Sequence, residues 1–266
     1  MTVATESRFV DVAGGRLFVQ SWSPAVLHAD HTPRAPIVLF HDSLGCVALW
    51  REFPALLAAT TSRRVIAYDR LGFGQSSARH DVLAHSFVED EGREVVPRLL
   101  HALGVETFVA MGHSVGGGMA VAAAAGHTAR CTALITMAAQ SFVEDRTIAG
   151  VREARGSFAA PEQLARIARH HGDKAEWVLH AWVDTWLHPD FAGWSLDALA
   201  EQVHCPALVV HSDNDEYGSL AHPMRLLRHL RGPSRQLTVP GGGHLPHRTE
   251  PAAVLNAVQD LLAPLV

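Results

Sequence analysis

Ser114 stands at the centre of Gly112-His113-Ser114-Val115-Gly116, between an apolar run ending at Met111 and a small-residue stretch beginning at Val115. That pattern puts the serine at the apex of a sharp strand-to-helix turn, in a strained backbone that points its hydroxyl outward. Glycines flank it because side chains there would collide as strand and helix pack closely. A serine so presented is suited to nucleophilic attack. It then needs a base, the base needs an orienting carboxylate, and the developing oxyanion needs N–H donors. His244 directly follows Gly241-Gly242-Gly243, which leave the backbone free to carry an imidazole back over a sheet. His247 is the rival, three residues on. His244 is preferred because it follows the glycines directly and keeps the order serine, acid, histidine. His247 is expected at the surface or a pocket rim.

The acid is expected in His211-Ser212-Asp213-Asn214-Asp215-Glu216. Asp215 is preferred. Asp213 competes but also suits a turn role, and Glu216 reads as solvated. One oxyanion donor is expected from the N–H of Val115, after the nucleophile. The second is expected from Ser43, in the loop His41-Asp42-Ser43-Leu44-Gly45. His41 is expected to fix that loop.

These groups need a frame to hold them. Six short apolar runs read as buried parallel strands: 37–40, 65–68, 108–111, 133–137, 207–210 and 236–239. Residues 9–21, interrupted by Gly14-Gly15, read as a hairpin, and 27–36 as a polar loop. Helical patterns at 49–60, 86–103, 115–125 and 251–262 separate most of the runs, with Pro97 expected to kink or interrupt the second. The alternation predicts an α/β chain with a mostly parallel, doubly wound sheet. Ser114, Asp215, His244 and Ser43 all fall after the carboxyl ends of predicted strands, where ligands sit in open α/β sheets.

One gap breaks the rhythm. Residues 141–200 carry helical sequence without a strand signal, and so long a structureless loop is improbable in a compact domain. The segment reads as a helical cap on a core formed by 1–140 and 201–266. Trp177, Trp182, Trp186 and Trp194 are concentrated there. Some are expected to bind the cap together. Trp182 and Trp186 are expected to line an apolar pocket over Ser114, with His113 as a further substrate-side residue.

The 266-residue chain is long enough for one large domain with an insertion. Its formal net charge of −5, without a basic run, offers no footprint for nucleic acid. No apolar stretch is long enough to span a bilayer, and residues 1–8 lack the features of a signal peptide. Cys46, Cys131 and Cys205 are scattered, odd in number and without metal spacing, so a reduced cytoplasmic setting is expected. His170-His171 is not a ligand pattern, because neighbours on a helix point about 100° apart. No metal or cofactor is predicted. The expected partner is a small, apolar molecule.

Taken together, the motifs resemble the α/β-hydrolase superfamily, in the branch of cap-bearing serine esterases, C–C bond hydrolases and cofactor-free haloperoxidases. The resemblance covers nearly the whole chain. It rests on Tyr68-Asp69-Arg70-Leu71-Gly72-Phe73-Gly74-Gln75-Ser76, on the Ser114 turn, and on Gly243-His244-Leu245-Pro246-His247 before Glu250-Pro251. In that family the acid commonly falls third after a glycine that closes its strand. Ser212 takes the glycine position here, so the resemblance implies Asp215. The serine at the turn speaks against relatives with an aspartate nucleophile. One departure stands out. The family usually has His-Gly where this chain has His41-Asp42, and a carboxylate facing the oxyanion would oppose its charge. Asp42 is therefore expected to point away, toward Arg70.

Residues and resemblance imply a hydrolase with a Ser-His-Asp triad, Ser114, His244 and Asp215, acting on a small, largely apolar ester, thioester or lactone. C–C bond hydrolysis would use the same triad. Cofactor-free dioxygenation of a 3-hydroxy-4-quinolone-type ring would place its acid after the preceding strand. Here that strand ends Met137-Ala138-Ala139-Gln140, with no carboxylate until Glu144. A non-catalytic ligand-binding module is the remaining alternative.

Overall fold

The apolar runs Ile37–Phe40 and Val65–Tyr68 are buried throughout, and alternate residues feed two separate cores. Val38, Phe40, Ile66 and Tyr68 enter one. Ile37, Leu39, Val65 and Ala67 enter the other. Strands covered on both faces read as unbroken apolarity for this reason. The computed structural model describes residues 2–24, 34–158 and 160–265. Most of the polar loop expected at 27–36 thus lies outside the described residues.

Among the described residues, eight strands form one sheet: β1 (Val3–Val12), β2 (Gly15–Pro24), β3 (Ile37–Phe40), β4 (Val65–Tyr68), β5 (Phe108–His113), β6 (Cys131–Met137), β7 (Ala207–Ser212) and β8 (Ser234–Val239). Their order is β1-β2-β4-β3-β5-β6-β7-β8. β1 and β2 form the expected hairpin and β2 runs antiparallel to β4, while β4 to β8 and β3 are parallel. The helices are α1 (Phe53–Thr61), α2 (Phe87–Asp90), α3 (Val96–Ala102), α4 (Val115–Gly126), α5 (Asp145–Phe158), α6 (Pro161–His171), α7 (Ala175–Trp186), α8 (Asp197–Ala200), α9 (Ala221–His229), α10 (Pro246–Thr249) and α11 (Pro251–Leu262). α1 and α11 cover one face of the sheet. α2, α3, α4, α8 and α9 cover the other.

Two helices depart from expectation in instructive ways. The helix expected at 49–60 starts at Phe53, because Arg51 at φ 53 breaks the preceding turn and Pro54 suits a first helical turn. The helix expected at 86–103 is interrupted, as expected near Pro97, but by widening rather than ending: a π turn at Glu91–Val95 separates α2 from α3 and contains Arg93, whose carbonyl the proline ring would strike in a regular helix. Gly92 lies in that turn against α4, where a Cβ would come within 2.5 Å of the Ala123 nitrogen.

The chain leaves the sheet after β6 through a narrow neck. Phe142 pairs with Ser195 in an isolated bridge, and the Leu196 N–H donates to the Ser141 carbonyl at 2.8 Å. α5, α6 and α7 lie between these points. α8 falls inside the segment read as cap, yet it follows the neck and buries Leu199 and Ala200 in the same core as α4.

Polar contacts pin the helical segment onto the loops after β3 and β4. The His171 Nδ1 accepts from the Gly74 N–H at 2.9 Å, and its Nε2–H donates to the Leu44 carbonyl at 3.0 Å. Lys174 Nζ donates to the carbonyls of Gly74 and Ser76, each at 2.6 Å. Phe73 packs among Ile167, Ala175 and Val178.

His171 must stay neutral for Nδ1 to accept, and burial lowers its pKa to about 4. His222 on α9 accepts from the Ser141 N–H at 3.0 Å, and burial likewise lowers it to about 4. Burial also lowers His41, His211 and His247. The unfolded chain binds protons near the ordinary histidine value of about 6.5, whereas these folded rings refuse them. Stability is therefore full above pH 6.5 and is lost as pH falls toward 4. By pH 5, still above the usual carboxylate range, each of His171 and His222 is expected to cost about 2 kcal/mol, or roughly 4–8 °C in Tm. Thermal unfolding at pH 7.5, 6.5 and 5 checks this, and a flat Tm would contradict it.

Candidate active site

β5 ends at His113 and α4 begins at Val115, so Ser114 makes the turn alone, at φ 56 and ψ −128. A non-glycine residue in such a conformation costs about 1–3 kcal/mol. Surrounding contacts hold it there. The Ser114 N–H donates to the Met137 carbonyl at 2.9 Å, and the Gly117 N–H donates to the Ser114 carbonyl at 2.8 Å. A Cβ on Gly112 would lie 2.0 Å from the Gly116 carbonyl oxygen, and one on Gly116 would lie 2.2 Å from that of Phe40. Only glycines permit this approach.

The structure brings the serine, the preferred histidine and the preferred acid into one line. Ser114 Oγ lies 3.0 Å from His244 Nε2, and His244 Nδ1 lies 2.9 and 3.0 Å from the two Asp215 oxygens. A carboxylate at Nδ1 places the ring hydrogen there and leaves Nε2 to accept the serine hydroxyl. The Asp215 carboxyl is fully buried and accepts from the Tyr217 N–H at 2.8 Å. Burial alone would raise its pKa. The His244 hydrogen bond and charge, with the Tyr217 N–H, outweigh that and hold it below the usual value.

The neighbours of Asp215 secure the histidine's own loop. Asp213 accepts from the Gly241 N–H at 2.8 Å, and Asn214 from the Gly243 N–H at 2.8 Å. Glu216 accepts from the His244 N–H at 3.1 Å. Asp213 thus takes a turn role. Glu216 is not merely solvated as expected, because the glycine turn carries the His244 N–H back to it. The expectation for His247 also needs correction. Pro246 starts α10, which turns His247 inward to be buried with ring centroids 4.9 Å from His113 and 5.2 Å from Trp50.

The loop after β3 and the first residue of α4 hold the candidate oxyanion donors. The Ser43 N–H makes no hydrogen bond among the described residues. The Val115 N–H, first in α4, has no intrahelical acceptor. His41 secures the loop with both ring nitrogens, donating from Nδ1 to the Asp42 carbonyl at 2.8 Å and accepting from the Arg70 N–H at 3.2 Å. Asp42 does not point to Arg70. The guanidinium bonds the Asp42 backbone carbonyl at 3.0 Å, leaving the carboxylate to turn elsewhere. One carboxylate oxygen accepts from the Leu44 N–H at 3.0 Å and the other lies 3.2 Å from His113 Nδ1. Burial would raise the Asp42 pKa, but the His113 hydrogen bond and charge hold it well below the usual carboxylate range. His113 Nε2 in turn donates to the His244 carbonyl at 2.7 Å.

Gln140 was not among the expected site residues. Its side-chain amide lies 3.1 Å from Ser114 Oγ. With the hydroxyl proton given to His244, Oγ can accept from the amide NH₂, since a half-turn exchanges the amide oxygen and nitrogen. The chain reaches this point through Ala138 at φ 49, just past β6. No motif marks such a turn in the sequence.

A cavity of about 280 Å³ opens over Ser114. Trp182 and Trp186 of α7 and Val151 of α5 supply apolar wall, as expected of the two tryptophans, and Thr147 and Tyr217 supply hydroxyls. His113 borders it but is almost fully buried, with both nitrogens engaged. Trp177 and Trp194 pack elsewhere, against Phe73 and against Trp186 and Phe191. A groove of about 440 Å³ lies beside α9, but it holds neither the serine nor the histidine. Among the described residues, His85, His188 and Asp190 place potential metal-ligating atoms within 4.8 Å of one another, and none lines the cavity over Ser114. No described helix is long and apolar enough to cross a membrane.

Known proteins share this architecture. The chain is 35% identical over 113 residues to 1-acylglycerol-3-phosphate O-acyltransferase ABHD5 of Sus scrofa, covering 42% of this chain and 31% of that protein. It thus spans less than a third of that relative's length. It is 33% identical over 135 residues to 2-hydroxymuconate semialdehyde hydrolase of Pseudomonas sp. (strain CF600), covering 50% of this chain and 47% of that one. The crystal structure of CarC, a serine hydrolase involved in carbazole degradation, superimposes with a TM-score of 0.75 at 19% identity over 98% of this chain and 99% of that one. The sequence profile of the family described as alpha/beta hydrolase fold matches residues 35–182, and with the sheet order and the Ser114 turn this makes the chain a member of the α/β-hydrolase fold family.

Proposed function

We propose that this protein is a serine hydrolase that cleaves a small, largely apolar carboxylic ester, thioester or lactone through an acyl-enzyme on Ser114. The line from Ser114 Oγ through His244 to Asp215, opening into the cavity beneath Trp182 and Trp186, carries the reading. In the first step Oγ bonds to the acyl carbon while its proton passes to His244 Nε2. The carbonyl oxygen becomes an anion and accepts from the N–H groups of Ser43 and Val115, each such donor lowering the barrier by about 2.7–4 kcal/mol. His244 then gives its proton to the departing alkoxide or thiolate. A water molecule repeats the sequence on the acyl-enzyme and releases the acid.

The cavity volume of about 280 Å³ is just below the usual range for ligand pockets of about 300–1,000 Å³, which favours a small acyl group. The Pseudomonas relative is a hydrolase by name, which supports the reaction class. Ring dioxygenation finds no support. Gln140 occupies the place after β6, and the Glu144 carboxylate is taken by the Ser219 hydroxyl and N–H and faces His222 at 3.2 Å.

Ser114→Ala is expected to keep the fold and to lose activity on chromogenic short-chain esters by about 10⁴-fold or more. A serine-reactive phosphonate should label the wild type at Ser114, and turnover should be the same with and without oxygen. Labelling elsewhere with Ser114→Ala still active would overturn the reading. Asp215→Asn should lower kcat by about 10³–10⁴-fold, because the amide permits the wrong imidazole tautomer. Asp213→Asn keeps an acceptor for the Gly241 N–H and should be mild. The reverse order in steady-state kinetics would move the orienting role to Asp213.

A further inference from the structure

The charge around the cavity is predominantly negative. Asp42 and Glu216 both line it, His113 faces only the first of them, and among the described residues its wall contains no lysine or arginine. The nearby arginines point their donors at backbone instead. Arg70 is buried and donates to the Asp42 carbonyl, and Arg146 donates to the Asp215 carbonyl at 3.1 Å. Asp215 adds a third carboxylate directly beneath His244. A hydrolase that accepted a carboxylate or phosphate here would place an anion beside Asp42 and Glu216 with no lysine or arginine in the wall to pair it, and like-charge repulsion disfavours that.

We propose that the cavity selects acyl groups that are uncharged or carry a cationic amine, and rejects those bearing a carboxylate or phosphate, with Asp42 and Glu216 as the residues that impose the choice. The proposal rests on the serine-hydrolase reading of the same site. Glu216 is well placed for the role, being exposed and tied to the His244 N–H by one oxygen only. Asp42 stands at the position where the family has glycine, next to the Ser43 N–H. Tyr217, across the cavity, senses the same field: burial raises its phenol pKa, and the charges of Glu216, Glu153, Asp215 and Asp42 raise it further. The aromatic wall of Trp182 and Trp186 is compatible with a cation, which is attracted to indole faces.

Two pairs of p-nitrophenyl esters, the first matched in chain length and the second in shape, test the choice. One pair is hexanoate against the glutarate monoester. The other is 5,5-dimethylhexanoate against 4-(trimethylammonio)butanoate. The wild type is expected to show kcat/KM at least about tenfold lower for the glutarate monoester than for hexanoate, and no lower for the ammonium ester than for its neutral isostere. Glu216→Gln and Asp42→Asn keep the acceptors for the His244 and Leu44 N–H groups while removing charge. Each should narrow the glutarate gap and lower the ammonium ester relative to its neutral isostere, and added salt should do the same in the wild type. Equal kcat/KM for glutarate monoester and hexanoate, or gaps unchanged in both variants, would overturn the proposal while leaving the hydrolase reading intact. Loss of all four activities would overturn the hydrolase reading itself. Charge selection is then read separately, by quenching of tryptophan fluorescence in Ser114→Ala, where equal binding of the glutarate monoester and hexanoate would also overturn it.

Discussion

The backbone of Ser114 is the constraint on which the site depends. A residue at φ 56 is unfavourable in isolation and persists because β5 and α4 are locked together around it. The Gly116 backbone abuts the carbonyls of Phe40 and His41, which fixes the end of β3 against the start of α4. The same approach sets the candidate oxyanion donors, since Ser43 lies three residues beyond Phe40 and Val115 one beyond Ser114. The proposed nucleophile and the candidate anion site are thus positioned by one packing contact. Apolar burial on both faces of the sheet offsets the strain.

The histidine is held differently. Its loop is rich in glycine and would be free to move, so its order comes from hydrogen bonds. Asp213, Asn214 and Glu216 each accept a backbone N–H from residues 241–244, and Asp215 accepts from the imidazole. His113 fixes the other side by donating to the His244 carbonyl while facing Asp42. The carboxylate that departs from the family pattern thereby joins the scaffold of the base. Its charge beside the candidate oxyanion site is partly answered by His113, and in our proposal the remainder bears on which acyl groups can enter.

Much of this was legible in the sequence, for identifiable reasons. Strands such as Ile37–Phe40 are apolar at every position because helices cover both faces, so their runs stood out. Ser114 was marked by glycines whose absence of a side chain is a steric necessity. Asp215 and His244 were marked by position after strands. The errors lie where a side chain has several partners within reach. Asp42 could have paired with Arg70, but the guanidinium is spent on a backbone carbonyl. His247 belongs to a polar-looking segment, yet Pro246 starts a helix that turns it inward. α5 falls within the stretch that reads as helical, but its bounds do not show because Gly150 and Gly156 weaken its pattern, and α9 does not show because Pro223 falls within its nine residues. Gln140 had no signal, since its place depends on a turn at an ordinary alanine.

The central claim is that Ser114 attacks an acyl carbon whose oxygen is received by the N–H groups of Ser43 and Val115. A crystal structure of the protein after reaction with a small alkyl phosphonate tests it most directly, because the tetrahedral phosphorus imitates the intermediate. The expected result is phosphorus bonded to Ser114 Oγ, with its oxygen about 2.7–3.1 Å from both N–H nitrogens and the alkyl group beneath Trp182 and Trp186. A phosphonate bonded to another residue, or an oxygen turned away from Ser43 and Val115, would contradict it.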